Sequence, residues 1–186
     1  MPDPGGKEIH YWDAMVFSSF ITEQDPDRVA AFTRLLANLT IRTAHYRLVL
    51  STFIITEVRP PPDTRNPHHE TIVRELFHAD RPYIRFYAVT MRIAERARDL
   101  AVQYPTLTNP DAIHLATALE AGADVFYTYD GPKDNKRRRS GNLLYLNERI
   151  GSPPLKIVKP EDDLWPLLAG LEPPALLPPG SLSEKS

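Results

Sequence analysis

The chain has no cysteine. Disulfides, thiolate zinc sites and cysteine nucleophiles are thereby excluded, and a reducing, cytoplasmic setting suits the composition. No apolar run reaches 18 residues, so no membrane-spanning helix is expected. Residues 1–7 are polar and hold no apolar stretch of the signal-peptide kind. Charge of neither sign dominates: 22 Lys and Arg stand against 24 Asp and Glu, a formal net charge of -2. The molecule as a whole therefore has no field that gathers polyanions, and any contact with nucleic acid must rest on a local patch.

What is present is enough for one domain and a tail. The chain has 186 residues, of which 42% are hydrophobic. Its 19 prolines are unevenly placed, with three in a row at Pro60–Pro62 and eight between Pro153 and Pro179. Proline lacks the amide donor and fixes φ, so the last cluster cannot form a packed helix or strand. Residues 161–186 read as a proline-rich tail, with roughly Pro173–Ser186 disordered or loosely docked. Residues 1–8 read as an N-terminal extension, which leaves 9–160 as the domain.

Strand and helix signals alternate along that domain. Ile9–Trp12 is a bulky run that ends at Asp13. Asp25-Pro26 starts a helix, with Val29, Phe32, Leu35, Leu36 and Leu39 at helical spacing. Leu48–Leu50 reads as a strand, Thr52–Val58 as a short helix stopped by Pro60, and Pro67–Ala79 as another helix. Ile84–Tyr87 is a third strand, followed by a helix over Thr90–Tyr104. Asn109 is read as the cap of the next helix, with Pro110 at its first position and Gly122 closing it. The β-rich run Ala123–Tyr129 is broken by Asp130-Gly131, and Leu155–Val158 is a last short strand. This alternation predicts an α/β fold: a three-layer α/β/α sandwich with a mainly parallel sheet.

Four acids fall at the junctions. Asp13 directly follows the first strand, and Glu57 lies in the short helix after the second. Asp111 is in the first turn of its helix, and Asp130 directly follows the next strand. In a parallel sheet all four come to the carboxyl ends of the strands, where α/β folds bind their ligands. Converging carboxylates repel, and burying them uncompensated costs several kcal/mol each, roughly, unless protons or a cation intervene. An all-oxygen set without cysteine and with few histidines favours Mg2+ or Mn2+ over zinc. Such a centre suits phosphodiester hydrolysis.

The same residues carry a resemblance. Tyr11-Trp12-Asp13, Ser51-Thr52-Phe53-Ile54-Ile55-Thr56-Glu57, Asn109-Pro110-Asp111-Ala112-Ile113-His114-Leu115-Ala116-Thr117-Ala118 and Phe126-Tyr127-Thr128-Tyr129-Asp130, in this order, resemble the PIN-domain family. Within it the chain is similar to toxin ribonucleases of VapC type, over Ile9 to Lys159. The resemblance implies a five-stranded parallel sheet and a Mg2+ or Mn2+ site. It also implies RNA as substrate, a homodimer, and a small antitoxin whose tail fills the acidic groove. It makes Asp13, Glu57, Asp111 and Asp130 the catalytic, metal-binding acids. Thr128 becomes the hydroxyl that fixes the carboxylate of Asp130 or a water beside it.

Ala14-Met15 departs from the family, which often has Ser, Thr or Asn after the first acid. Asp134, four residues past Asp130, competes for the fourth acidic role. His114, three residues after Asp111 on the same helix face, is a supporting residue packed beside the site. Lys133, Lys136, Arg137, Arg138 and Arg139 follow Asp130 and form the strongest basic run, suited to an RNA phosphate track. Tyr11, Trp12, Tyr127 and Tyr129 read as packed strand residues. An alternative is a PIN-like module that binds RNA or protein without catalysis. A phosphotransfer site of haloacid-dehalogenase type is disfavoured, because it needs a second Asp where Met15 stands.

Overall fold

A computed structural model of the chain describes residues 6–22, 25–41, 46–59, 67–78, 81–131 and 143–162. Five strands form one sheet: β1 (Glu8–Trp12), β2 (Tyr46–Ser51), β3 (Ile84–Tyr87), β4 (Val125–Tyr127) and β5 (Lys156–Val158). Their order is β3-β2-β1-β4-β5 and every pairing is parallel. The helices are α1 (Ala14–Thr22), α2 (Pro26–Ile41), α3 (Ile54–Glu57), α4 (Pro67–Leu76), α5 (Met91–Gln103) and α6 (Asn109–Ala121), with a 3-10 turn at Leu143–Leu146. The expected α/β architecture with five parallel strands is the observed one.

Strand alternation divides the core into two layers. Trp12, Leu48, Leu50, Val125 and Tyr127 face one way and pack with Val16, Phe17, Phe20, Phe32, Leu39, Val73 and Leu76 of α1, α2 and α4. This layer is aromatic: Phe20 and Phe32 stack at 4.2 Å, and Trp12 meets Phe32 edge-on at 5.6 Å. Ile9, Tyr11, Val49, Phe126 and Ile157 face the other way and pack against Ile93, Ala97 and Leu100 of α5 and Ala112, Leu115, Ala116 and Ala118 of α6.

The structure departs from the sequence reading in several places. Helix α1 has no counterpart in it. Its sequence, Ala-Met-Val-Phe-Ser-Ser-Phe-Ile-Thr, buries Val16, Phe17, Phe20 and Ile21 at helical spacing, but no Pro or Gly marks its ends. The 3-10 turn was likewise unanticipated. The β-rich run before Asp130 is strand only over Val125–Tyr127. The α6 cap is Thr108, not Asn109: its hydroxyl accepts the Asp111 N–H, and the Asp111 carboxylate accepts the Thr108 N–H. That reciprocal capping box satisfies two otherwise orphaned donors. Gly122 does close α6, in the left-handed conformation at φ 70°.

The sheet order positions the site. From central β1 the chain moves outward through β2 and β3, then returns to place β4 on the other side of β1. The connections leaving β1 and β4 run to opposite sides, which makes their carboxyl ends the switch point of the sheet, the place where α/β folds bind ligands. Asp13 and Thr128 are the first residues beyond those two strands.

Candidate functional site

Asp13 is the best-fixed acid. It is only 3% exposed, in spite of its charge. One oxygen, Oδ1, accepts the Ala14 N–H at 2.7 Å, and the other, Oδ2, accepts the Thr128 hydroxyl at 2.8 Å. Its backbone N–H donates to the Tyr127 carbonyl at 2.9 Å, continuing the β1–β4 ladder by one bond. Burial pushes the Asp13 carboxyl above its ordinary pKa. His114 and the Thr128 hydroxyl oppose that rise, and the nearby charge of Asp111 adds to it.

Thr128 occupies a different place from the one expected. Its hydroxyl holds the carboxylate of Asp13, not that of Asp130. Toward Asp130 it acts through the backbone, accepting the Asp130 N–H at 2.9 Å. The Asp130 carboxylate turns to the 3-10 turn, where Oδ2 accepts the Leu143 N–H at 3.3 Å and the carbonyl accepts the Leu144 N–H at 3.1 Å. Thr128 thus ties the two acids together, with the carboxylate of Asp13 on one side and the main chain of Asp130 on the other.

Asp111 is presented by the first turn of α6. Its Oδ2 accepts both the Thr108 N–H, at 3.2 Å, and the Thr108 hydroxyl, at 2.6 Å. One turn further along α6 stands His114, 1% exposed. Its Nδ1 shares a 2.6 Å hydrogen bond with the Tyr11 hydroxyl, and its Nε2 is bonded to Glu57 Oε2. Burial alone would lower the His114 pKa. The bond to Glu57, with the charges of Asp13, Glu57 and Asp111, outweighs burial and raises it. These Coulombic couplings tie Asp13, Glu57, Asp111 and His114 into one electrostatic group.

Tyr11 was read as packing alone, and that reading is incomplete. Its ring does pack, stacking on Phe126 at 5.0 Å. Its buried hydroxyl also accepts the Ser51 N–H at 3.1 Å while bonding His114. Burial lifts the phenol pKa well above its ordinary value, so Tyr11 stays protonated. The partners lie 40 and 103 residues away in sequence, and no local signal marks them.

The donors fit a hard divalent cation in kind: carboxylate oxygens around a nearly buried, desolvated Asp13. Among the described residues, no three His, Asp or Glu side chains stand ready as a ligand set. All four acids already hold protein donors: Asp13 from Ala14 and Thr128, Glu57 from His114, Asp111 from Thr108, and Asp130 from Leu143. Those bonds use one oxygen each of Glu57 and Asp111, Oε2 and Oδ2, and leave Oε1 and Oδ1 for a cation. Lys133, Asp134, Lys136, Arg137, Arg138 and Arg139 lie outside the described residues, as do 163–186 of the proline-rich tail.

Comparison with solved structures gives a fold match to VapC20 of Mycobacterium tuberculosis, a toxin that cleaves the sarcin–ricin loop. The identity is 18%, with a TM-score of 0.51 over 66% of this chain and 90% of that one. VapBC2 of Rickettsia felis, solved bound to a DNA fragment from its promoter, matches at 10% identity and a TM-score of 0.46, over 64% and 86% of the two chains. No curated protein matches the sequence. Among the described residues, no helix is long and apolar enough to cross a membrane. The family model of the PIN domain matches residues 11–132, about two thirds of the chain, a span that opens two residues before Asp13 and closes two after Asp130. With the parallel sheet and the acids gathered at its carboxyl edge, that match makes this chain a member of the PIN domain family.

Proposed function

We propose that the protein is a metal-dependent endoribonuclease, with Asp13, Glu57, Asp111 and Asp130 as its acidic centre and Mg2+ or Mn2+ as its cofactor. The observation that carries the reading is Asp13: a carboxylate almost wholly removed from water, at the switch point between β1 and β4, coupled to Asp111 and His114. A buried anion beside a second anion is costly to maintain without a counter-charge, and a structural role alone gives no reason to keep it.

A divalent cation bound there supplies charge for the scissile phosphate and acidifies an attacking water. The chain's own residues do the rest. Asp13, fixed by Ala14 and Thr128, marks the floor of the site. The unbonded oxygen of Asp111, Oδ1, is available while Oδ2 stays in the cap. Glu57, 23% exposed in its side chain, stands at the rim. The basic run Lys133, Lys136 and Arg137–Arg139 follows Asp130 in sequence and serves as a track for RNA phosphates.

In this reading the protein works in the cytoplasm as the toxin of a toxin–antitoxin pair. It forms a homodimer and is held inactive by a small antitoxin. The test is cleavage of single-stranded and structured RNAs with Mg2+ or Mn2+, comparing the wild type with Asp13→Asn and Asp111→Asn. Metal-dependent cutting that falls at least about 100-fold in both variants, ~2.7 kcal/mol of barrier, is the expected result. No cutting by the wild type, or equal cutting by the variants, overturns the reading.

One observation favours a second reading, a binding module without catalysis. Glu57 and Asp111 already have strong protein donors, and Ala14-Met15 offers no polar group beside Asp13. Manganese titration by calorimetry separates the two, because the module would show no carboxylate-dependent site.

A further inference from the structure

The acids are carried by elements of very different stiffness. Asp13 ends a central strand and Asp111 opens a 13-residue capped helix. Glu57 ends α3, a helix of four residues. Helices shorter than about 12 residues are marginal by themselves. Ile54 is the one side chain of α3 that is buried, and the helix has no side-chain cap. Nothing within α3 aims the Glu57 carboxylate.

The anchor comes from elsewhere. Beyond Trp12, β1 turns away into α1, so the Ser51 N–H at the end of β2 has no β1 carbonyl beside it. The Tyr11 hydroxyl, rising from β1, takes that donor at 3.1 Å. The same hydroxyl meets His114 Nδ1 at 2.6 Å, and His114 Nε2 meets Glu57. The imidazole also meets the Tyr11 ring edge-on, at 5.8 Å between centroids, and the Phe53 ring at a tilt, at 5.9 Å. Phe53 is in turn pinned by its N–H to Ser51 Oγ, at 3.2 Å. The path runs from the β2 backbone through a β1 side chain and an α6 side chain to an acid on α3.

We propose that Tyr11 and His114 are positioning residues that hold the Glu57 carboxylate beside Asp13 and Asp111, supplying the rigidity that α3 lacks. The purpose assigned to the relay rests on the nuclease reading above; the tether itself does not. Partners of a metal-binding side chain that orient it commonly govern affinity by about 10- to 100-fold.

The experiment uses the full chain with Tyr11→Phe, His114→Gln and His114→Ala, and two readouts. One is the Mn2+ dissociation constant by calorimetry. The other is hydrogen exchange of the Thr56 and Val58 amides in metal-free protein, which donate to Phe53 and Ile54. His114→Ala is expected to weaken Mn2+ by roughly 10-fold or more and to speed exchange in α3 while α2 is unchanged. His114→Gln, whose side-chain amide still donates to Glu57, should recover most of both. Tyr11→Phe should shift both the same way by less. In a Glu57→Ala background, His114→Ala should cost no further Mn2+ affinity.

Unchanged Mn2+ binding together with unchanged α3 exchange overturns the proposal. So does acceleration of α2 and α3 alike, which means general loosening, and so does failure of Gln to rescue. If His114→Ala does not fold, Tyr11→Phe against wild type carries the same comparison. A wild type that binds no Mn2+ and cuts no RNA defeats the nuclease reading, and exchange in α3 then decides the tether by itself.

Discussion

The two faces of the sheet are made of different materials. The face under α1, α2 and α4 is an aromatic layer of Trp12, Phe17, Phe20, Phe32 and Tyr127. Among the described residues, the face under α5 and α6 carries five of the six buried polar or charged ones: Asp13, Ser51, His114, Thr117 and Thr128. Four of these sit at the carboxyl end of the sheet, and Tyr11 links two of them through its hydroxyl. The first face removes large apolar surface from water, about 1.5–3 kcal/mol per fully buried side chain. The second gives up part of that gain to hold polar groups in a fixed arrangement. Both faces bury a comparable set of apolar residues, so the second carries its costly polar site beside a core of its own.

The largest break in that contrast should come from Phe32. Its ring is fully buried and touches Trp12, Phe17 and Phe20. Phe32→Ala should cost about 3–5 kcal/mol, a large part of a typical domain's 5–15 kcal/mol, roughly. Denaturant unfolding measures it. Activity per folded molecule should not change. A loss of cleavage beyond the loss of folded protein would show that the aromatic face also shapes the site.

A smaller effect separates the two duties of the α6 N-terminus. Thr108 and Asp111 exchange hydrogen bonds in the capping box. Thr108→Ala removes the hydroxyl that accepts the Asp111 N–H and donates to its carboxylate. It should cost about 1 kcal/mol, with Thr108→Ser restoring most of it. Asp111→Asn keeps an oxygen for the Thr108 N–H and should move stability by less than ~0.5 kcal/mol, while abolishing cleavage. If instead Asp111→Asn destabilises as much as Thr108→Ala does, its charge serves mainly the helix.

The sequence made the apolar scaffold legible and the wiring of the polar face only partly so. Strand and helix alternation, with Pro110 and Gly122 framing α6, was enough to make the sheet parallel and bring four acids to one edge, but not to order its strands. Local signals fixed those features, since caps and periodicity act within a few residues. Thr108 was legible too: an Asp three residues after a Thr is the capping-box pattern, and it distinguishes Thr108 from Asn109. The His114–Glu57 bond spans 57 residues and the Thr128–Asp13 bond spans 115. Such pairs depend on strand order and side-chain parity together. Given the parallel order, parity alone puts Tyr11, Asp13, Ser51 and Thr128 on the α6 face, but not which hydroxyl meets which carboxylate. Helix α1 was legible by its period, with Val16, Phe17, Phe20 and Ile21 buried and Ser18, Ser19 and Thr22 less so, but it has no proline or glycine to mark its ends.

The finest test of the contrast is the charge on Asp13 in metal-free protein. Burial raises its folded pKa above the ordinary value of 3.8. Between those two values the folded protein keeps a proton that the unfolded chain has released. Stability therefore falls as pH rises through that interval, and the full cost stands at neutral pH. Asparagine does not titrate. The stability of Asp13→Asn relative to wild type should thus be most favourable near pH 7 and should decline as pH drops toward the unfolded carboxylate range. The offset at any one pH also contains the altered bonds to Ala14 and Thr128, so the slope with pH, not the offset, isolates the charge. Thermal or denaturant unfolding of both proteins from pH 7 to pH 4 measures that slope. A relative stability that rises on acidification would mean that Thr128, Ala14 and His114 stabilise the Asp13 carboxylate by more than burial costs it. The polar face would then be as self-sufficient as the aromatic one, with no unmet charge left for a cation to answer.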